Sequence, residues 1–102
     1  MAEDSAQQED LWRVTVRFEG RVQGVGFRFT TVELARSFAV TGFVRNEMDG
    51  SVALVAEGTK EVLESFVHEI KSSHLGRYIY DEHRAWSAAT GEFDRFGVSY
   101  GW

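Results

Sequence analysis

Between an alternating apolar segment and the first helix-like segment lies Gly20-Arg21-Val22-Gln23-Gly24-Val25-Gly26-Phe27-Arg28, and this stretch limits what the chain can build more than any other. Three glycines in seven residues allow positive φ and leave the backbone N–H groups unobstructed by Cβ atoms, the geometry needed to wrap a phosphate-sized anion. Arg28 falls at the start of the next helix, where unpaired N–H groups and the helix dipole add positive potential and a guanidinium can grip two oxygens at once. The stretch reads as a strand–loop–helix anion site. Its bland alternative is a glycine-rich turn beside an exposed arginine.

Two nucleotide loops are excluded. Position 29 is Phe, so Gly24-Val25-Gly26 does not extend to the dinucleotide pattern, and no Gly-Lys-Ser/Thr follows to make a Walker loop. Gly24 to Phe29 has a superficial likeness to the aromatic submotif of RNA-recognition domains. However, Val25 stands where a stacking aromatic belongs, and Gln23 replaces the leading basic residue.

The elements on either side place this loop in a fold. Trp12, Val14, Val16 and Phe18 alternate with Arg13, Thr15, Arg17 and Glu19, the period-two mark of a strand with one buried face. From about Phe27 to Val40 the apolar residues Val32, Ala35 and Ala39, with Leu34 and Phe38 beside them, predict a helix closed by Gly42. Phe43 to Glu47 and Ser51 to Glu57 predict two antiparallel strands joined at Asp49-Gly50. Thr59 is the expected N-cap of a second helix with Val62, Phe66 and Ile70 inward, ending near Ser73. Tyr78 to Ala88 and Phe93 to Tyr100 complete the series as strands. This order predicts an α+β, ferredoxin-like split βαβ sandwich, an antiparallel sheet with both helices on one face and solvent on the other.

At 102 residues the chain is expected to form one domain, residues 11–102, behind a disordered acidic leader, residues 1–10. Four of the 16 acids lie in that leader, so the rest carries 12 acids against 11 bases. A near-neutral body offers no broad basic face for polynucleotide, and any bound anion should be small. With no cysteine there is no disulfide or thiolate metal site, and a reducing compartment is allowed. No apolar run is long enough to span a bilayer and the N-terminus has no apolar signal core, so a cytoplasmic protein is expected.

With loop and hairpin placed, the sequence resembles the acylphosphatase family. Gly20 to Arg28 is similar to that family's phosphate-binding signature, and Gly42-Phe43-Val44-Arg45-Asn46-Glu47-Met48-Asp49-Gly50-Ser51-Val52 to its second signature. The resemblance implies a ferredoxin-like fold and hydrolysis of acyl phosphates to carboxylate and inorganic phosphate, with no metal or other cofactor. Carried over by position, it implies that Arg28 binds phosphate with the loop N–H groups of Val22, Gln23, Gly24, Val25, Gly26 and Phe27, while Asn46 holds the attacking water. Inorganic phosphate, the product, is expected to inhibit because it occupies the same loop, and a monomer is expected. Positioning and charge stabilisation suffice for a substrate that already has a good leaving group. The chain departs from the family pattern at Thr59, where proline often follows the glycine, at Ser99, where arginine is common, and at Glu82 and Arg84, on a face expected to be apolar.

Other chemistries find little support. His68, His74 and His83 are not at metal-ligand spacing. Asp81-Glu82 and the Glu92/Asp94 pair read as surface charge. Phe18, Phe43, Phe66 and Trp86 read as core. Asn46, taken alone, reads more readily as an asparagine bonded locally beside a turn than as a site residue. Two function classes follow: a small acylphosphatase, or a non-catalytic ferredoxin-like anion-binding or regulatory module that kept the loop without turnover.

Overall fold

In the computed structural model residues 10–100 are described, so the expected leader lies, apart from Asp10, outside the described residues. The first strand, β1 (Leu11–Gly20), forms where the alternation predicts, with Val14, Val16 and Phe18 fully buried and Arg13, Thr15 and Arg17 on the opposite face. Each of these apolar side chains contributes about 1.5–3 kcal/mol by leaving water.

Helix α1 (Phe27–Ala35) is shorter than its apolar spacing predicts. The N–H groups of Arg36, Ser37 and Phe38 donate to the carbonyls of Glu33, Leu34 and Ala35, three residues back, which tightens the chain out of α geometry. The apolar period nevertheless runs on, because Phe38 packs on Phe66 with ring centroids 5.5 Å apart. Gly42 does not close the helix: it lies inside β2 (Thr41–Asn46), at φ 137°, where a Cβ would stand 1.9 Å from the Val55 carbonyl oxygen. Its role is close strand approach.

β2 pairs antiparallel with β3 (Val52–Thr59) in a register that sets Asn46 against Val52. Helix α2 (Lys60–Ser72) begins as expected, with Thr59 Oγ1 accepting from the Val62 N–H at 3.3 Å. It buries Leu63, Phe66, Val67 and Ile70. A 3-10 turn (His74–Tyr78) leads into β4 (Ile79–Ala88), and β5 (Phe96–Val98) ends the sheet.

The strand order is β4-β1-β3-β2-β5. The first four pair antiparallel, and Phe27, Ala35, Leu63 and Phe66 from both helices join Val14, Val16, Val44 and Leu54 in one core. This is the expected ferredoxin-like α+β sandwich with both helices on one face. The fifth strand runs parallel to β2, because the β4–β5 connection first crosses the outer face, passing Glu57 and then Phe43, before it turns along the β2 edge. That face is therefore only partly open to solvent, and Phe43 packs on Phe93 there, not in the core. Glu82 and Arg84, which depart from the family pattern, close the rim of the helix layer: Glu82 accepts from Lys71 at 2.7 Å and from Arg84 at 2.5 Å.

Candidate functional site

The glycine loop leaves β1 at Gly20, where a Cβ would stand 2.2 Å from the Tyr78 carbonyl oxygen and where Arg21 N–H bonds that same oxygen at 2.9 Å. Gly24 and Gly26 take φ 80° and 79°, left-handed conformations that a side chain resists even though the space around both is open. Val22 and Phe27 anchor the loop in the core, with the Phe27 ring 5.2 Å from Phe18. Among the described residues, no backbone N–H from Val22 to Phe29 has a hydrogen-bond partner. Helix α1 starts at Gly26 without a capping side chain and without an acid in its first turn. Gly24, Gly26 and Phe29 are exposed, so these donors, with no protein acceptor among the described residues, leave a local positive potential at the start of the helix.

Arg28 is half-buried in the first turn of α1, its guanidinium carbon 5.6 Å from the Tyr100 ring centroid. It has no carboxylate partner among the described residues. Asn46 ends β2 on the same sheet face as Val44 and Gly42, the face that carries the helices. Both residues line one cavity of about 450 Å³, together with Val22, Gly24, Gly26 and Phe27. The juxtaposition of Arg28, loop and Asn46 is therefore a geometric fact of the fold.

Gln23 and Val25 do not line that cavity. Val25 packs on the core, while the Gln23 amide donates to the carbonyls of Glu47 and Ser51, both at 2.8 Å, and so ties the loop to the hairpin turn behind Asn46. That turn is itself firm: Asp49 accepts from the Ser51 hydroxyl at 2.6 Å and from its N–H at 2.9 Å. These two bonds hold the Asp49 carboxyl below its usual range. Phe29, Val32, Val98 and Tyr100 complete the apolar part of the wall. Helical spacing from Arg28 is a sequence signal for Val32, but nothing local pointed to Val98 or Tyr100. Among the described residues that line the cavity Glu33 is the one acid, and it lies 3.4 Å from Arg36, so those residues present no group of carboxylates or imidazoles for a metal.

The fold and this cavity define a class: ferredoxin-like α+β domains with an open glycine loop beside an arginine. Within that class, the acylphosphatase family model matches residues 14–98. An acylphosphatase of Salinibacter ruber is 45% identical over 86 residues, covering 84% of this chain and 90% of the relative. The crystal structure of acylphosphatase from Bacillus subtilis has a TM-score of 0.78 at 33% identity, covering 87% of this chain and 99% of that one. Full-length HypF, in a phosphate- and nucleotide-bound form, has a TM-score of 0.77 at 22% identity over 91% of this chain but 12% of its own, a likeness of fold alone. The chain belongs to the acylphosphatase family.

Proposed function

We propose that the chain hydrolyses the carboxyl–phosphate anhydride of acyl phosphates in the cavity between the glycine loop and Asn46. The observation that carries this reading is the run of unpartnered N–H groups from Val22 to Phe29 beside an arginine with no carboxylate partner among the described residues. A phosphoryl group is the natural occupant, since its oxygens accept several N–H bonds and a guanidinium fork at once. Arg28 and the loop hold the phosphoryl group, and the Asn46 amide orients a water towards phosphorus. The P–O bond to the acyl group breaks as the new P–O bond forms, and the electron pair leaves on the carboxylate. The water's proton passes to a phosphate oxygen of the substrate.

Such transfer needs little from the protein beyond positioning and charge. The cavity wall suits this division, since its described residues offer neither a metal-ligand group nor a nucleophile beside a base. Inorganic phosphate fits the same loop, so it is product and competitive inhibitor. Among the described residues no helix is long and apolar enough to cross a membrane. A monomer working in the cytoplasm completes the proposal.

The test is phosphate release from a simple aromatic acyl phosphate in excess EDTA, with a phosphomonoester as comparison. Rapid release from the first and almost none from the second is expected. Loss of activity in EDTA overturns metal independence, and absence of turnover with phosphate binding retained favours the non-catalytic anion-binding module.

A further inference from the structure

On the sheet face turned away from the helices, Glu19 of β1 and Asp81 of β4 are direct cross-strand partners, with His83 two residues further along β4. Two carboxylates opposed across paired strands repel each other. Yet each has one oxygen held from outside the trio: Arg17 Nε lies 3.0 Å from Glu19 Oε2, and the Glu82 N–H donates to Asp81 Oδ1 at 2.8 Å. The other oxygens are turned to a common point. His83 Nε2 lies 3.5 Å from Glu19 Oε1 and 3.5 Å from Asp81 Oδ2, and the three ligand atoms lie within 4.8 Å of one another.

Those separations are long for hydrogen bonds, whose N···O distance is about 2.7–3.2 Å. The two His83 distances match another geometry. Two atoms each about 2.0–2.2 Å from a zinc ion, at a tetrahedral angle, stand roughly 3.3–3.6 Å apart. Imidazole nitrogen and carboxylate oxygen are each ligands of such an ion, a fourth position would remain for water, and outer partners like Arg17 and the Glu82 amide fix the orientation of the oxygens.

We propose that Glu19, Asp81 and His83 form a binding site for a divalent transition cation of zinc's class. The ion neutralises the opposed carboxylates and ties β1 to β4 just before the register shift at Glu19/Gly20, where the chain turns into the glycine loop. The site is structural and independent of the proposed hydrolysis, which belongs to the opposite face.

Calorimetric titration of metal-stripped protein with zinc chloride in a non-chelating buffer tests this. One ion per chain is expected, with affinity reduced at least about tenfold in His83→Ala and in Glu19→Gln. The double variant His68→Ala/His74→Ala should bind as the parent does. Zinc should raise the melting temperature of the parent and not of His83→Ala, because only a ligand of the folded state stabilises it. Unchanged binding in either His83→Ala or Glu19→Gln, or no stoichiometric binding by the parent, overturns the site. Activity of the EDTA-treated protein bears on the hydrolase reading alone, so the two can fail separately.

Discussion

Two places in this molecule gather backbone N–H groups and an arginine where an anion can sit, and one of them is already filled. On the outer face, the buried Glu57 carboxylate accepts from Arg13 Nε at 2.8 Å, from the Thr90 N–H and hydroxyl at 3.0 Å each, and from the Gly91 N–H at 2.9 Å. Gly91 has φ 74°, much as Gly24 and Gly26 do, and the Arg13 guanidinium packs over Phe93 as that of Arg28 does over Tyr100. At the glycine loop the same components face a cavity, and among the described residues no carboxylate pairs with Arg28 there. Where the chain supplies its own anion, the arrangement is a latch that fastens the β4–β5 connection across the sheet. Where it withholds one, the donors remain for a ligand.

The sharpest break between the two regions should come from Asn46→Ala. A water-orienting amide acts in the transition state, so kcat should fall by about 10²–10³, the loss typical of one such donor, while phosphate affinity and melting temperature stay near the parent values. A fall in phosphate affinity matching the fall in rate would make Asn46 an anion ligand or a structural residue. Next in size is Arg28→Lys, which keeps the charge and loses the planar fork. Its kcat/KM should drop by the equivalent of about 2–3 kcal/mol, with weaker phosphate inhibition and an unchanged fold. Turnover close to the parent's would show that simple charge suffices.

The filled site should answer in the opposite currency, stability without catalysis. Burial pushes the Glu57 carboxyl upward, but the N–H groups of Thr90 and Gly91, Arg13 and the Thr90 hydroxyl outweigh it and lower the pKa from 4.5 to about 2. A depressed carboxyl stabilises the fold above its unfolded pKa, so this contribution is complete above about pH 5 and disappears as pH falls from 4.5 towards 2. Glu57→Gln should cost about 1–3 kcal/mol at neutral pH, lower the melting temperature, flatten its acid dependence in that window and leave kcat alone. If kcat fell in a folded Glu57→Gln protein, the latch and the cavity would be coupled through the β4–β5 connection and β5.

The same contrast explains what was legible in the sequence. The glycine loop and the hairpin each lie within about a dozen consecutive residues, so turn chemistry and periodicity placed Arg28 and Asn46 on their elements without tertiary information. Their meeting in one cavity follows from the β2–β3 register, which puts Asn46 on the helix face. Glu57 passed for an ordinary strand residue, because Arg13 and Thr90 lie 44 and 33 positions away and neither belongs to a local pattern. Gln23 read as one more backbone donor, whereas its side chain spans to the hairpin 24 and 28 residues on. The early end of α1 and the parallel direction of β5 were hidden for a related reason: apolar spacing reports what a segment buries, and Phe38 is packed on the core although it has left the helix.

The smallest expected effect tests whether every unsatisfied polar group near the loop belongs to the site. Thr31, one turn beyond Phe27 on α1, is fully buried, and its hydroxyl is without a partner among the described residues. It does not line the cavity, so the unpaired oxygen is a local cost rather than a donor kept for substrate. Thr31→Val keeps the branched shape and removes the unsatisfied oxygen. It should stabilise the protein by about 1 kcal/mol, the low end of the penalty for a buried polar group left unmade, and raise the melting temperature by about 4–8 °C. The rate with an acyl phosphate should not move. A stabilised variant that lost turnover would place Thr31 in the machinery of the open site, supporting Arg28 from within the helix, and the division between free donors for a ligand and buried cost for the fold would have to be redrawn one turn deeper.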